Sequence, residues 1–301
     1  MKLISFSIND DTRIGAVVGD TAVDLTATLA KAGQTIPNDM AAFLGLGEDV
    51  MDRARTAVQQ FEKGDQRIVT MPLDSVTLLA PIPRPPKIMM GGRNYLKHID
   101  ELREKTGEDI PVPPFPRIFS KYHTSVVGPG MPVIYPKLSK MLDFEGELTV
   151  VIGKPARRVS EEDAYAYIAG YTIVNDVTAR DVQEMAELIL SKNFETFAPM
   201  GPWIVTADEI PDPHILTVRT LINDQLVTQG NTSEMLFNIP QYVSFLSGIF
   251  LLEPGDIIST GSPPGPGRYQ DPPLLPKVGD TMRIEIEKVG VLENIIVAAE
   301  D

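Results

Sequence analysis

Apolar and polar residues alternate over short stretches along most of the chain, and this pattern predicts strands rather than long helices. The 26 Pro and 23 Gly among 301 residues fit a chain with many turns. Helical spacing is limited to a few segments, of which Thr26–Ala32 and Glu48–Lys63 come first. The clearest strand candidates are Leu142–Ile152, Tyr171–Val174, Ile215–Ile222, Asp256–Thr260, Met282–Glu287 and Leu292–Val297.

A proline-dense segment, Ala80–Pro86, divides this pattern into two parts. Proline fixes the backbone and removes an amide donor, so such a segment is typical of a linker. We therefore expect a small N-terminal α+β domain over residues 1–80 and a larger, β-rich domain over residues 81–301, which makes the fold class α+β. In the second domain the pattern predicts a charged helix at Asn94–Glu104, capped by Asn94, and a longer helix at Asp176–Leu190.

An excess of acidic residues excludes several classes of partner. The chain has 27 Lys and Arg against 41 Asp and Glu, a formal net charge of −14 at pH 7. Neither nucleic acid nor a membrane surface is therefore expected as a partner. No apolar run approaches the roughly 18 residues of a membrane span. The absence of cysteine excludes disulfides and thiolate sites, and we expect a cytoplasmic protein.

The segment Leu142–Ile152 combines an acidic face with an apolar one. Because side chains two apart in a strand share a face, Asp143, Glu145 and Glu147 are predicted to project together. Like charges at the edge of a core need a cation, and Asp176 can add a further carboxylate. Oxygen ligands without cysteine favour Mg²⁺ or Mn²⁺. The alternatives are a solvated strand face and an Asp176 that only caps a helix.

Among the three histidines, His98 has the best surroundings for a general base. On a helix the three-residue spacing places Glu101 beside it, where a carboxylate orients the ring and stabilises its charged form. The alternative is an exposed ion pair on a charged helix. Lys192, among aromatic residues and prolines, can stabilise developing enolate charge near a metal, or it can extend into solvent.

Several motifs occur together in an order that makes the chain from about Pro81 to Val297 resemble the fumarylacetoacetate hydrolase superfamily. They are Gly-Arg-Asn-Tyr-x-x-His-x-x-Glu at 92–101, Phe-Glu-Gly-Glu-Leu at 144–148, Asn-Asp-Val-Thr-Ala-Arg-Asp at 175–181, Ser-Lys-x-Phe-x-Thr-Phe-x-Pro-x-Gly-Pro-Trp at 191–203 and Thr-Gly-Ser-Pro at 260–263. The resemblance implies a catalytic domain built as a mixed β-sheet roll, in homodimers. It also implies Mg²⁺ or Mn²⁺ on the residues that match Glu145, Glu147 and Asp176.

The same resemblance implies roles for further residues. The matching His98–Glu101 pair would activate water, and Lys192 would contact the enolate. Substrate contacts are implied at Arg93, Arg180, Gln183, Gln229, Thr260, Gly261 and Ser262. The polar and then proline-rich segment around residues 97–116 is expected to form a lid that orders when substrate binds.

The main functional hypothesis is a divalent-metal-dependent hydrolase that cleaves a carbon–carbon bond in a 2,4-dioxo acid of the acylpyruvate or fumarylpyruvate type, in aromatic or sugar catabolism. The expected partner is a small 2-oxo or 2,4-dioxo acid. One alternative is an oxaloacetate-type decarboxylase, or an enol/keto isomerase, that uses the same metal–enolate site. A second alternative is a non-catalytic, metal-dependent binder of small acids.

Overall fold

The computed structural model describes residues 1–300. Its N-terminal region consists of antiparallel strands with three helices packed against them. Asn9 and Asp10 both have positive φ and form the tight turn between the first two strands, as two-residue hairpins require. The strands are β1 (Lys2–Ile8), β2 (Asp11–Val18), β3 (Thr21–Asp24), β4 (Thr70–Pro72) and β5 (Thr77–Leu78), and the helices are α1 (Leu25–Lys31), α2 (Met40–Gly45) and α3 (Glu48–Glu62).

The remaining chain adds many short strands and a few helices, as the hydrophobic pattern predicts. The strands are β6 (Ile88–Gly92), β7 (Arg117–Ser120), β8 (Val126–Val127), β9 (Val133–Tyr135), β10 (Leu142–Asp143), β11 (Gly146–Ile152), β12 (Ile168–Asn175), β13 (Thr178–Ala179), β14 (Ala198–Thr206), β15 (Thr217–Ile222), β16 (Gln225–Asn231), β17 (Ile257–Ser259), β18 (Thr281–Ile286) and β19 (Gly290–Ala298). The helices are α4 (Leu96–Thr106), α5 (Arg180–Met185), α6 (Leu188–Ser191) and α7 (Ile239–Ile249). None of the helices in residues 1–300 has the length and apolarity needed to cross a lipid bilayer.

These strands form a mixed β structure. The large sheet has the order β4-β3-β2-β1-β14-β12-β11-β17-β6-β7, and a second sheet has the order β16-β15-β18-β19-β9. Strands β17 and β6 are parallel, whereas β11 and β12 are antiparallel. The predicted α+β, sheet-rich fold is confirmed. Because β1 pairs with β14, the N-terminal strands continue the sheet of the second domain, and a boundary near residue 80 stays a prediction.

The two sheets are in close contact at Gly146. A Cβ atom at this position would lie 2.7 Å from side-chain atoms of both Thr220 and Ile284 in the second sheet, so only glycine fits. Side chains alternate along a strand, and the flanking Glu145 and Glu147 therefore project to the other side. The acidic pair is thus positioned by the contact between the sheets.

Two helix predictions need correction. The segment Asp176–Leu190 is not one helix, because Thr178 and Ala179 pair with β10 and an extended Ala186 separates α5 from α6. Helix α4 begins at Leu96, and Asn94 does not cap it. The Asn94 amide instead donates to the carbonyls of Phe237 and Thr260. In both places, hydrogen bonds to distant strands and loops replaced the local ones that the sequence suggested.

Candidate metal centre and active site

The three carboxylates that the sequence predicts as metal ligands meet at one point of the large sheet. Glu145 and Glu147 flank Gly146 at the start of β11, and Asp176 follows β12, the strand paired with β11. The amide of Asp176 donates a 2.8 Å hydrogen bond to the carbonyl of Glu145. One oxygen of each carboxylate lies within 4.8 Å of the others, and all three residues are buried. This arrangement suits ligands of one ion.

Positive charge is shared unevenly among these carboxylates. Lys192 Nζ contacts Asp176 Oδ2 and lies 3.0 Å from Glu145 Oε2. Burial opposes ionisation of Glu145, but the charges of Lys192 and Arg180 outweigh it and hold the pKa of Glu145 well below its usual range. In residues 1–300 the side chain of Glu147 accepts hydrogen bonds only from neutral donors, Ser259 Oγ at 2.5 Å and the Gly261 amide at 3.1 Å.

Glu147 is therefore a buried carboxylate without a cation in contact with it. Burial, reinforced by the negative charge of Asp176, raises the pKa of Glu147 well above its usual range. Asp176 Oδ1 is also buried. Lys121 Nζ lies 2.9 Å from it, but within residues 1–300 no donor is oriented to give Oδ1 a hydrogen bond. An oxygen-only donor set with uncompensated negative charge fits a divalent metal ion.

Lys121 is a residue of this centre that the sequence analysis missed. Its ammonium group donates to the carbonyls of Val177, Lys192 and Phe197, at 3.0, 2.6 and 2.6 Å. Burial lowers its pKa to about 8, against the opposing attraction of Asp176. Lys121 thus joins the two segments that carry Asp176 and Lys192. Nothing in the local sequence distinguishes it from a surface lysine, because all its partners are remote along the chain.

Arg180 links the carboxylate group to a fourth acid, Asp143. Arg180 Nε donates to Asp143 Oδ2 at 2.8 Å, and its Nη2 donates to Glu145 Oε1 at 3.0 Å. Asp143 also accepts a 3.0 Å hydrogen bond from the amide of Gly267. Asp143 and Glu145 therefore project toward the same guanidinium group, although the strand is interrupted between β10 and β11. Asp143 is the ion-pair partner of Arg180 and is not among the three carboxylates that lie close enough to share one ion.

The predicted His98–Glu101 pair lies on α4 and is largely buried rather than exposed. His98 Nδ1 is 3.0 Å from Glu101 Oε2, which also accepts a 3.1 Å hydrogen bond from the amide of Gly265. With Nδ1 as the donor to this carboxylate, the Nε2 lone pair is left for the cavity. The His98 side chain is 11% exposed and that of Glu101 18%, so the pair is not a surface ion pair.

Helix α4 is held by a small apolar cluster. Ile99 and Leu102 pack with Ile110 from the segment that follows the helix, and Leu236 and Tyr269 contact them. These contacts keep one wall of the site in place. The segment at residues 97–116 contains most of α4 and the loop that leads to β7. Its action as a lid stays a prediction.

One cavity lies between the carboxylate group and helix α4. Most of the predicted site residues line it: Arg93, His98, Glu145, Glu147, Asp176, Arg180, Gln183, Lys192 and Ser262. Residues that the sequence analysis did not select also line it, among them Leu102, Arg117, Phe119, Leu188 and Tyr269. Gln183 Oε1 accepts a 3.3 Å hydrogen bond from Arg180 Nη1, which fixes both side chains at the edge of the cavity.

Four predicted site residues do not line this cavity. Glu101 lies behind His98, and Thr260 Oγ1 donates to the Leu148 carbonyl at 2.8 Å within the sheet. Gly261 has a φ of +86°, which favours glycine, and its amide orients Glu147. Gln229 is exposed on β16, where it accepts a 3.0 Å hydrogen bond from Arg219, so this chain does not bring Gln229 to the site.

Several known proteins with similar sequences are named oxaloacetate tautomerase. Oxaloacetate tautomerase fahd2, mitochondrial, from Xenopus laevis is 38% identical over 304 residues, covering 99% of this chain and 90% of that protein. Oxaloacetate tautomerase FAHD2A, mitochondrial, from Homo sapiens is 40% identical over 266 residues, covering 87% of this chain and 81% of that protein.

Solved structures with the same fold include a hydrolase and an isomerase. Maleylpyruvate hydrolase from Sphingobium sp. SYK-6, in complex with manganese(II) and pyruvate, has a TM-score of 0.80 and 30% identity, with 100% of both chains covered. A 5-carboxymethyl-2-hydroxymuconate delta-isomerase from Mycobacterium smegmatis has a TM-score of 0.76 and 30% identity, covering 99% of this chain and 100% of that one.

The family described as "Fumarylacetoacetate (FAA) hydrolase C-terminal" matches residues 87–297. This range includes the carboxylate group, the His98–Glu101 pair and both lysines of the centre. Since the match covers more than half of the chain, and the site has the donor set of a divalent-metal centre, the sequence and the structure lead to the same assignment. The chain belongs to the fumarylacetoacetate hydrolase superfamily of metal-dependent enzymes.

Proposed function

We propose that this chain interconverts the keto and enol forms of a short 2-oxo dicarboxylic acid, oxaloacetate. One observation carries the proposal: the carboxylate group and a general base oriented by Glu101 line the same cavity. Relatives named oxaloacetate tautomerase, at 38% and 40% identity, support this reaction more strongly than the carbon–carbon hydrolysis of our main sequence hypothesis. The hydrolase of similar fold is 30% identical.

The proposed cofactor is Mg²⁺ or Mn²⁺, held by Glu145, Glu147 and Asp176. When bound, such an ion supplies positive charge that stabilises an enolate-like oxygen. The manganese(II) ion in the complex of maleylpyruvate hydrolase supports a divalent ion in general. The location and assembly of the protein stay predictions: the sequence favours the cytoplasm and a homodimer, whereas the names of both tautomerase relatives refer to mitochondria.

His98 is the proposed proton carrier. Its Nδ1 faces Glu101, so Nε2 is the atom available for the substrate. In the keto-to-enol direction, Nε2 takes a proton from C3, the C3–H electron pair forms the C2=C3 double bond, and the C2=O π pair moves onto the oxygen. The oxygen then takes a proton from the charged His98 ring, directly or through a water molecule, which returns the ring to its neutral form. The reverse reaction returns a proton to C3. Glu101 stabilises the charged ring between the two transfers, as a carboxylate beside a general base does.

Lys192 supplies a fixed positive charge next to the reacting end of the substrate. Burial alone would disfavour its charge, but Asp176 and Glu145 outweigh burial and raise the pKa of Lys192. A preorganised charge in a buried site stabilises developing negative charge without reorganisation. Arg180 is fixed by Asp143 and Glu145, and Gln183 is fixed by Arg180, so these side chains are the proposed contacts for the 2-oxo acid group.

A second candidate function is hydrolysis of a 2,4-dioxo acid, and the intact His98–Glu101 pair favours it. In that reaction His98 would take a proton from water, the hydroxide oxygen would bond to the distal carbonyl carbon, and the carbon–carbon bond would break. The electron pair would leave with the pyruvate fragment, which then regains a proton. Decarboxylation of oxaloacetate needs the same stabilised enolate and is measured in the same assays.

The test follows the ultraviolet band of enol-oxaloacetate with purified protein and Mg²⁺ or Mn²⁺, and a pyruvate assay runs in parallel. We expect faster loss of the enol band without stoichiometric pyruvate, and we expect EDTA to abolish the acceleration. Acetylpyruvate serves as the hydrolase substrate. Rapid cleavage of acetylpyruvate without tautomerisation would establish the second candidate, and stoichiometric pyruvate from oxaloacetate would establish decarboxylation.

A further inference from the structure

Two arginines stand side by side on the wall of the cavity that β6 and β7 form. Arg93 directly follows β6, and Arg117 opens β7. In the antiparallel register Arg117 lies opposite Gly92, whose missing side chain leaves space beside the Arg117 Cβ atom, 3.9 Å from where a Gly92 Cβ would be. Both arginines line the same cavity as the carboxylate group.

Neither guanidinium group has an anionic partner in contact with it. Within residues 1–300, Arg93 and Arg117 make no ion pair and no side-chain hydrogen bond, whereas Arg180, in the same cavity, is held by Asp143 and Glu145. Burial lowers the pKa of Arg93, and the like charge of Arg117 adds to this effect, while Glu108 attracts Arg93 without touching it. The fold therefore places two positive charges at the cavity, Arg93 half-buried and Arg117 exposed to solvent at its edge, and within residues 1–300 no carboxylate contacts either of them.

The location of the pair separates it from the residues that would hold a metal. Strand β11, which carries Glu147, pairs with β17, and β17 pairs with β6. Two strand spacings amount to about 10 Å between the backbones. The long side chains of Arg93 and Arg117 cover part of this distance, so a short dicarboxylate can reach from one group to the other.

We propose that Arg93 and Arg117 form a subsite for the second carboxylate of a dicarboxylic substrate whose 2-oxo acid end lies at Glu145, Glu147 and Asp176. This inference rests on the proposed function and defines its substrate class. Arginine suits the role because its planar fork binds a carboxylate through two parallel hydrogen bonds. A monocarboxylic 2-oxo acid would leave both charges unpaired, and the subsite would select against it.

The first test measures binding rather than turnover. Protein loaded with Mn²⁺ is titrated in a calorimeter with N-oxalylglycine, an inert 2-oxo dicarboxylate, and with oxamate, which lacks the second carboxylate. We expect Arg117→Gln to weaken N-oxalylglycine by about 10- to 100-fold, the range of a charge-assisted hydrogen bond, and to leave oxamate binding within about twofold. Arg117→Lys keeps the charge but loses the fork, so its effect is intermediate.

Two further variants complete the design. Arg93→Gln should produce the same selective loss, and its thermal unfolding is recorded because Arg93 has a φ of +55°, where the backbone is sensitive to substitution. Arg53→Gln removes one positive charge from an exposed position on α3 and is the matched control, with both affinities unchanged. Equal losses for both ligands in the cavity variants would overturn the subsite, as would an absence of any loss.

Turnover separates this inference from the proposed function. With oxaloacetate, Arg117→Gln should raise KM and leave kcat nearly unchanged, because the second carboxylate lies away from the reacting carbons. If the wild type prefers N-oxalylglycine, loses this preference in the arginine variants and yet tautomerises nothing, the subsite stands and the proposed function fails. If oxaloacetate is tautomerised with unchanged KM in both arginine variants, the function stands and the subsite fails.

Discussion

Two walls of the cavity, one carrying the carboxylates and the other carrying His98, are held by different forces. The carboxylate wall belongs to paired strands: Glu147 lies on β11, and Asp176 directly follows β12, the neighbouring strand of the large sheet. The other wall is helix α4, which carries His98 and is attached through Ile99 and Leu102 to a small apolar cluster. The first wall is fixed by backbone pairing before any ligand arrives, whereas the second depends on a few side-chain contacts. Binding of the metal and proton transfer should therefore be separable.

The largest expected effect comes from the carboxylate wall. Glu145→Ala removes one proposed metal ligand and leaves Arg180 and Lys192 with one acidic partner fewer each. We expect Mn²⁺ binding, measured by calorimetry, and turnover to be lost together. Retention of both in this variant would show that the carboxylate group is not the metal centre.

The helix wall gives the contrasting result. His98→Ala removes the proposed proton carrier and touches none of the three carboxylates. We expect turnover to fall by about 10²- to 10⁴-fold, the usual contribution of a general base, while Mn²⁺ affinity stays the same. Undiminished activity would remove His98 from the mechanism, and a parallel loss of Mn²⁺ would show that the walls are not independent.

A smaller effect is expected from the contact between the sheets. Gly146→Ala places a methyl group 2.7 Å from Thr220 and Ile284. The cost should be about 1–3 kcal/mol in the free energy of unfolding, as for overpacking in a closed core. Urea denaturation measures it, and Gly248→Ala is the control, because a Cβ atom at Gly248 meets nothing within 4 Å. Equal stability of the two variants would contradict the close approach of the sheets.

The smallest effect concerns the buried charge at Glu147. Glu147→Gln keeps an acceptor for Ser259 and Gly261 but removes a carboxylate that has no contacting cation. In EDTA we expect this variant to be more stable than the wild type by about 1 kcal/mol, since an unpaired buried charge is unfavourable. With Mn²⁺ the order should reverse, because only the wild type then gains binding energy. A less stable variant in EDTA would indicate that another positive charge already compensates Glu147.

Local patterns predicted much of the fold and most of the site. Strand alternation located the acidic segment, and the three-residue spacing of His98 and Glu101 held because both lie on α4. Predictions failed where a residue had two possible partners. Asn94 is a residue type that often caps helices, but its side-chain amide donates to the carbonyl of Thr260, which is distant along the chain. By contrast, Asp143 and Glu145 bind the same guanidinium group of Arg180, in keeping with their alternation along the chain.

The sequence by itself determined the short strands, the oxygen-only donor set and the pairing of a base with its carboxylate, because each of these depends on residues close together along the chain. Only the tertiary structure decided which charges stay uncompensated. Lys121 is held by carbonyls far away in sequence. Arg93 and Arg117 reach the same cavity because β6 and β7 pair, although residues 93–116 lie between the two strands. Charge compensation depends on distance in space, and the order of residues along a chain does not contain it.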